Sequence, residues 1–368
     1  MVTVLCSRPI SWRLPGNKNA MLNFALLLTY NKRTTCFPGR SNIIMISVIL
    51  PVYNEAAHIA TVLDCLAASQ VPNLEVIVVD DASTDDTAQI CSRYSVTLLR
   101  RPENGGPARC RNAGAAASHG ELLLFLDADI QFDPELLPRI MTHLDAHPHL
   151  AGALTLTAPE PLNPSFAGRF VALQDYLRYT HICAQGHRSW SYITTRFGLL
   201  KREVFEEVGG FNESLRAAAY EDLEFCARMS ERHQLALDPD WLVRHHFPDT
   251  LWKMLRRLHV NARGVMSFPR AMRRKVSAPF TRDRNARILL ALSWLLGACG
   301  FFAPPLWIGA ALCQLGALRQ VWWLPRGFYR HEGLLFAVKG WLVYNATLVP
   351  FATGVARGVA DTVRRRVI

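Results

Sequence analysis

The run Glu121-Leu122-Leu123-Leu124-Phe125-Leu126 stops abruptly at Asp127-Ala128-Asp129. Five consecutive apolar residues between polar ones read as a strand buried on both faces, as in a parallel sheet covered by helices. The two carboxylates then stand at the carboxyl end of that strand, the rim where open α/β sheets bind ligands. Side by side they repel unless protons or a cation neutralise them. The spacing suits one Mg²⁺ or Mn²⁺, hard ions that take oxygen donors and often share them with substrate phosphates.

The sequence before this run has the same rhythm. Ile46 to Tyr53 reads as a β-branched strand, and Asn54-Glu55 opens a helical stretch to about Gln70 with Ile59, Val62, Leu63 and Leu66 at helical spacing. Pro72-Asn73 turns the chain into a second strand, Leu74 to Val79, which ends at Asp80-Asp81-Ala82-Ser83. Ser83 or Thr84 is suited to cap a helix from Asp85 to about Tyr94. A third strand, Val96 to Leu99, is followed by Asn104-Gly105-Gly106-Pro107 and a small-residue helix, Ala108 to Ser118. Alternating units of this length predict a sheet with helices on both faces and right-handed crossovers. Asn54-Glu55, Asp80-Asp81 and Asp127-x-Asp129 all fall at carboxyl ends of strands, so one rim gathers them.

Together, Val48-Ile49-Leu50-Pro51-Val52-Tyr53-Asn54-Glu55, Val78-Val79-Asp80-Asp81-Ala82-Ser83-Thr84-Asp85, Asn104-x-Gly106-Pro107 with Arg111-Asn112-x-Gly114, and Leu126-Asp127-Ala128-Asp129 resemble the family 2 glycosyltransferases. The resemblance spans about residues 44 to 265. It implies a GT-A fold, a nucleotide-diphosphate-sugar transferase architecture with a mostly parallel sheet, and a UDP- or GDP-sugar donor whose diphosphate is bridged by Mg²⁺ or Mn²⁺ to Asp127 and Asp129. It also implies that Pro51, Tyr53 and Glu55 line the nucleotide pocket, that Asp81, supported by Asp80, accepts a hydrogen bond from the base, and that Arg111 lies near the donor phosphates. Gly105 and Gly106 would let the backbone approach the ligand closely.

Further on, Phe197 to Lys201 is an apolar strand pattern and the helix after it ends in Gly209-Gly210-Phe211; after nine intervening residues comes Glu221-Asp222 at another helix start. Acids in a first turn need no function beyond complementing the helix dipole. The resemblance makes them the catalytic pair, with Asp222 the general base of an inverting transfer. A carboxylate in that role must face the metal across the sugar and take the acceptor's proton as the new bond forms. In Val243-Arg244-His245-His246, the resemblance offers His245 to the metal or the diphosphate. The Gln-x-x-Arg-Trp of the family's processive synthases is missing, with His259-Val260-Asn261-Ala262-Arg263-Gly264 in its region, which favours transfer of a single sugar.

Charge is unevenly placed. Between Lys253 and Arg287 there are eleven Lys/Arg against one acid, Asp283, nearly the whole net charge of +11. This belt precedes Ile288 to Leu318, 31 residues without a charge and with Pro304-Pro305 near the centre; Leu334 to Ala356 is a second apolar stretch interrupted by Lys339. Such runs predict membrane association, with the belt on anionic headgroups and Trp294, Trp307, Trp322, Trp323 and Trp341 at the boundary. The first stretch reads as a hairpin broken at the prolines, the second as interfacial or re-entrant, with two ordinary spans as the rival arrangement. Nucleic acid is excluded as a partner by the lack of any motif of interleaved basic and aromatic residues. Nine scattered cysteines without a Cys-x-x-Cys pair give neither a zinc site nor a disulfide framework and suit a reducing compartment.

The predicted organisation is an N-terminal arm over 1–42, poorly ordered or interfacial; a catalytic domain over 43–250; a basic amphipathic linker at the membrane surface over 251–287; membrane-embedded helices over 288–356; and a basic tail over 357–368. The expected activity is transfer of one sugar to a hydroxyl of a lipid or lipid-linked acceptor, on the cytoplasmic side of the cell inner membrane. A polyprenyl-phosphate sugar synthase and a non-catalytic nucleotide-sugar-binding scaffold are the alternatives.

Overall fold

The computed structural model describes residues 44–184, 189–190, 195–214, 221–229, 232–266 and 281–367. The predicted arm over 1–42, Tyr192 and most of the later half of the basic belt lie outside them. A single sheet organises the N-terminal two thirds: β1 (Ile46–Val52), β2 (Leu74–Asp80), β3 (Thr97–Arg100), β4 (Leu122–Leu126), β5 (Ile130–Phe132), β6 (Gly152–Thr157), β7 (Ser189–Trp190), β8 (Phe197–Lys201) and β9 (Leu235–His245). Its order is β3-β2-β1-β4-β8-β6-β9-β5, with β7 on β9. The first four strands are parallel. Beyond β4 the pairing is mixed, because β8 runs antiparallel to both β4 and β6 while β6 and β9 are parallel. The parallel pairing expected of the apolar runs up to Asp127 is present in β1 to β4, and the later strands make the sheet a mixed one. Burial on both faces, which is what those runs report, is the same whichever way a neighbour points.

Alternate residues of each strand feed two cores. Val48, Leu50, Leu124 and Leu126 pack with Ile59, Val62, Leu63 and Leu66 of α1 (Ile59–Ala68) and with Ile140 and Leu144 of α4 (Leu136–Ala146) on one face. On the other, Ile49, Leu123 and Phe125 meet Ala108 and Ala115 of α3 (Pro107–Ala116), Phe205 of α6 (Arg202–Val208) and Phe225 of α7 (Glu221–Met229). The period-2 side-chain alternation of a strand divides these contacts.

Two expected helix starts move. Residues 54–58 form a turn, since Asn54, Glu55 and Ala56 donate their backbone N–H groups to Ser83 Oγ, Thr87 Oγ1 and Asp85 Oδ2 at 3.0, 2.8 and 3.1 Å. Those side chains are thereby taken, and neither Ser83 nor Thr84 caps α2 (Thr87–Cys91), whose N-cap position is Asp86. Side-chain bonds between the loops after β1 and β2 replace a helical turn and a cap, the competition expected of Ser, Thr and Asp.

The C-terminal third is helical: α5 (Phe166–Ala184) under the sheet, then α8 (Leu251–Val265), α9 (Thr281–Cys299), α10 (Leu306–Gln320), α11 (Trp323–Glu332), α12 (Leu334–Ala346) and α13 (Leu348–Val367). α9 and α10 form a hairpin turned through Gly300 to Pro305. The later helices join the sheet-bearing half through a third core in which Phe170 and Leu173 of α5 meet Leu290, Phe328, Phe336 and Tyr344. α13 runs to Val367 and packs along α8, with Arg263 donating to Asp361 at 2.6 Å. By length and composition, Leu334–Arg364 is the one described helical stretch able to cross a membrane, and only 28% of its most apolar 18-residue window is buried.

Candidate active site

The carboxyl ends of β1, β2 and β4 converge on a cavity of about 1260 Å³, larger than most single-ligand pockets. Pro51, Tyr53, Glu55, Asp81, Gly106, Arg111, Asp127, Asp129, Glu221, Asp222 and His245 all line it. Tyr53 is 48% exposed at its rim. Asp80 does not reach the cavity. Fully buried, it accepts from Ser83 N at 2.9 Å and faces Arg100, so its place is to hold the loop that presents its neighbour. Asp81 is itself occupied: its two carboxylate oxygens accept from Gly105 N and Gly106 N at 2.9 and 2.8 Å. Gly106, at φ 88° in the left-handed region, turns the chain so that both amides point at Asp81 just before α3 begins at Pro107.

Arg111 is the centre of the constellation. Buried on α3, it donates from Nη1 to Glu221 Oε1 at 2.6 Å and from Nη2 to Asp127 Oδ1 at 3.0 Å. One guanidinium thus ties the acid at the end of β4 to the acid that opens α7. Its neighbour Asn112 makes a paired bond to the backbone of Phe211, accepting from its N–H and donating to its carbonyl, both at 2.9 Å. Gly209 and Gly210, at φ 83° and 66°, make the turn that presents Phe211 to Asn112. The Arg-Asn and Gly-Gly-Phe motifs are one structural joint.

Strand register explains the metal candidates. β5 follows Asp129 directly and pairs antiparallel with β9, which sets His245 opposite Ile130 and its Nε2 3.3 Å from Asp129 Oδ1. Asp127, Asp129 and His245 each offer a ligand atom within 4.8 Å of the others. Burial, then Asp127 and Glu55, push the Asp129 carboxyl up to about 7. Burial, reinforced by Arg196 and Arg257, takes His245 well below the usual imidazole range, so the ring is neutral, and its buried Nδ1 has no hydrogen-bond partner. Crowded carboxylates and a neutral imidazole with free lone pairs fit a divalent cation, whose charge would offset the repulsion that holds a proton on Asp129. Mn²⁺ is therefore expected to raise the melting temperature of the protein. At a hundredfold excess over Kd the gain is about 2.7 kcal/mol, and Asp129→Asn should abolish it. Since binding must expel the Asp129 proton, affinity should rise with pH up to about 7.

Asp222 lies on the other side of Arg111, partly facing the cavity, with Leu223 N donating to its Oδ1 at 2.8 Å. Burial raises its carboxyl to about 7, Glu221 adds to the rise and Arg111 opposes it. Both acids line the cavity, but Glu221 is almost fully buried and bound to Arg111, which leaves Asp222 as the more exposed member of the pair.

Several cavity residues carried no sequence signal. Asp175 and Arg178 of α5 are joined in an ion-pair chain with Arg196 and Asp283, and their helix reads only as a core pattern. Arg257 of α8 was hidden in the basic belt. That helix is strongly amphipathic, and the cavity lies where its face turns inward.

A mixed sheet with this strand order, flanked by helices and carrying an Asp-x-Asp at the end of β4, is the GT-A fold. Residues 47–209 match the model described as Glycosyl transferase family 2, which makes that stretch a family 2 glycosyltransferase domain. An uncharacterized glycosyltransferase of Haemophilus influenzae is 26% identical over 257 residues, 62% of this chain and 85% of that protein. The poly(ribitol-phosphate) beta-N-acetylglucosaminyltransferase TarS of Staphylococcus aureus is 27% identical over 252 residues, 54% of this chain and 44% of its own length, so this chain spans less than half of that relative. A mannosyltransferase from Pyrobaculum calidifontis, solved in complex with GDP-Man and Mn²⁺, superposes with a TM-score of 0.55 at 18% identity, over 93% of this chain and 94% of that one; the likeness is one of fold.

Proposed function

We propose that the protein is a divalent-metal-dependent, inverting glycosyltransferase that moves one sugar from a UDP- or GDP-sugar to a hydroxyl of a lipid or lipid-linked acceptor at the cytoplasmic face of the cell inner membrane. The observation that carries the reading is Arg111, which ties Asp127 and Glu221, the neighbour of Asp222, to one guanidinium. Asp127, Asp129 and His245 would hold the ion, which supplies positive charge for the diphosphate as it leaves. Asp222 would take the proton of the acceptor hydroxyl while that oxygen attacks the anomeric carbon and the bond to the diphosphate breaks. Arg257, close enough to Asp129 and His245 to act on both electrostatically, adds a cation on the diphosphate side. The related proteins named for N-acetylglucosaminyl and mannosyl transfer support a sugar nucleotide as donor. Nucleotide release should be measured across a panel of UDP- and GDP-sugars with lipid extract as acceptor. Release with one donor, lost with chelator and restored by Mn²⁺, is expected; no donor bound or turned over would overturn the reading.

Membrane attachment is supported by the exposed apolar surface of the C-terminal helices. Phe301 and Phe302 at the turn of the hairpin are 79% and 93% exposed, with Leu295, Ile308, Leu312 and Leu315 exposed along its arms. A patch of this size is rarely left open to water. From Ile288 and from Leu318 to the turn each arm is roughly 18–20 Å long, short of a hydrocarbon core of about 30 Å. The hairpin would therefore dip into one leaflet, and the rival of two ordinary spans loses support. Phe301→Asp/Phe302→Asp should shift the protein from vesicle-bound to unbound in flotation with anionic liposomes, with the circular dichroism spectrum unchanged.

A further inference from the structure

The cavity does not end at Asp222. It continues between α5, α8, α9 and the α12–α13 junction, where its walls become apolar: Phe170, Met254, Ile288, Leu348, Phe351 and Val355. Two cations stand at the change from polar to apolar lining, Arg284 and Arg287, one turn apart on α9 and therefore on the same side of that helix. Their setting differs from that of Arg111, Arg178 and Arg196. Arg111, Arg178 and Arg196 each have carboxylate partners. Neither Arg284 nor Arg287 has one among the described residues. Arg287 is held in place without charge neutralisation: Nη1 donates to Thr347 Oγ1 at 3.1 Å, and its guanidinium lies 5.3 and 5.1 Å from the ring centres of Tyr344 and Phe351. Arg287, half-buried and positioned, with Asp283 one turn away on α9 already paired to Arg178, and next to Ile288 whose side chain opens the exposed apolar surface of α9, matches the boundary between the charged head and the hydrocarbon of an amphiphile.

We propose that Arg284 and Arg287 form an anion subsite that receives the phosphate of a lipid acceptor, whose hydrocarbon lies against the apolar walls beyond them. The proposal rests on the glycosyltransferase reading and names the acceptor's chemical class, a lipid that carries a phosphate beside the hydroxyl that attacks. It keeps this phosphate apart from the donor diphosphate, which belongs to the Asp127 and Asp129 side. A phospholipid with a headgroup hydroxyl and a polyprenyl-diphosphate-linked saccharide share this chemistry.

The test uses the full chain in phosphatidylcholine nanodiscs and reads binding by calorimetry with three probes: dodecyl phosphate, dodecanol and inorganic phosphate. Dodecyl phosphate should bind at least about tenfold more tightly than either of the others, the size of one charge-assisted hydrogen bond. Arg284→Gln/Arg287→Gln should erase that preference, and Arg287→Lys, which keeps the charge, should retain most of it. Equal binding of dodecanol and dodecyl phosphate, or a preference that survives the double Gln variant, would overturn the subsite. Inorganic phosphate binding as tightly as dodecyl phosphate would overturn the lipid source. UDP and GDP binding to the same samples, with Mn²⁺, is measured in parallel: its loss in the wild type would count against the glycosyltransferase reading, whereas its retention confines a negative result to the subsite. In activity assays a preference for an added polyprenyl-diphosphate-linked saccharide over a hydroxyl-bearing phospholipid, or the reverse, distinguishes the two lipids.

Discussion

Asp222→Asn is expected to lower turnover by about 10²- to 10⁴-fold, the contribution of a positioned general base, while donor binding measured by calorimetry stays within a few fold of the wild type. The amide keeps the size of the side chain and its bond from Leu223 N but cannot take a proton. The pH profile gives a second readout. Because burial and Glu221 raise the Asp222 carboxyl to about 7, the active, ionised form appears only as pH climbs through that value. The wild-type rate should rise across pH 6–8, and the residual rate of the variant should lose that limb. Stability should move the opposite way. A carboxyl whose folded pKa lies above its unfolded value binds its proton more tightly when folded, so it costs stability as pH rises from about 4 to about 7 and the cost persists above. Asp222→Asn removes the cost and should melt at the same or a higher temperature at pH 8. A fully active variant with an unchanged pH profile would remove Asp222 from the chemistry.

Arg111→Met should be the most damaging change to the fold of the site. It leaves Glu221, 2% exposed, and Asp127 without the cation that both face. Breaking a buried ion pair by removing one partner costs about 3–5 kcal/mol, which corresponds to a melting temperature lower by roughly 6–20 °C. Activity should fall with it, since the acids of β4 and α7 lose their common anchor. The double variant Arg111→Met/Glu221→Gln should regain a large part of the stability and none of the activity. That split separates the energetic role of Arg111 from its placement of Asp222 against the metal candidates; recovery of both would mean that Arg111 serves packing alone.

Much of this architecture was legible in the chain. The apolar runs of β1, β2 and β4 specify burial on both faces, and each ends at an acid, so the rim of the site follows from local pattern. The turn at Gly209-Gly210 and the helix start at Glu221-Asp222 are equally local. Other expectations failed where side chains from a distant loop took over the backbone: residues 54–58 form no helix because Ser83, Asp85 and Thr87 accept their N–H groups. The basic belt read as a lipid-facing surface, yet Arg257 on it turns to the cavity.

What the sequence determined by itself is therefore the set of elements and the chemical character of their ends, because periodicity and composition record whether a segment is buried. They do not record what buries it. Only the tertiary structure decided that Arg111 reaches Glu221, 110 positions away, that β5 and β9 pair in the register that sets His245 beside Asp129, and that α9 and α13 line the apolar end of the cavity. These contacts depend on sheet order and helix docking, which are set by the summed packing of the whole domain.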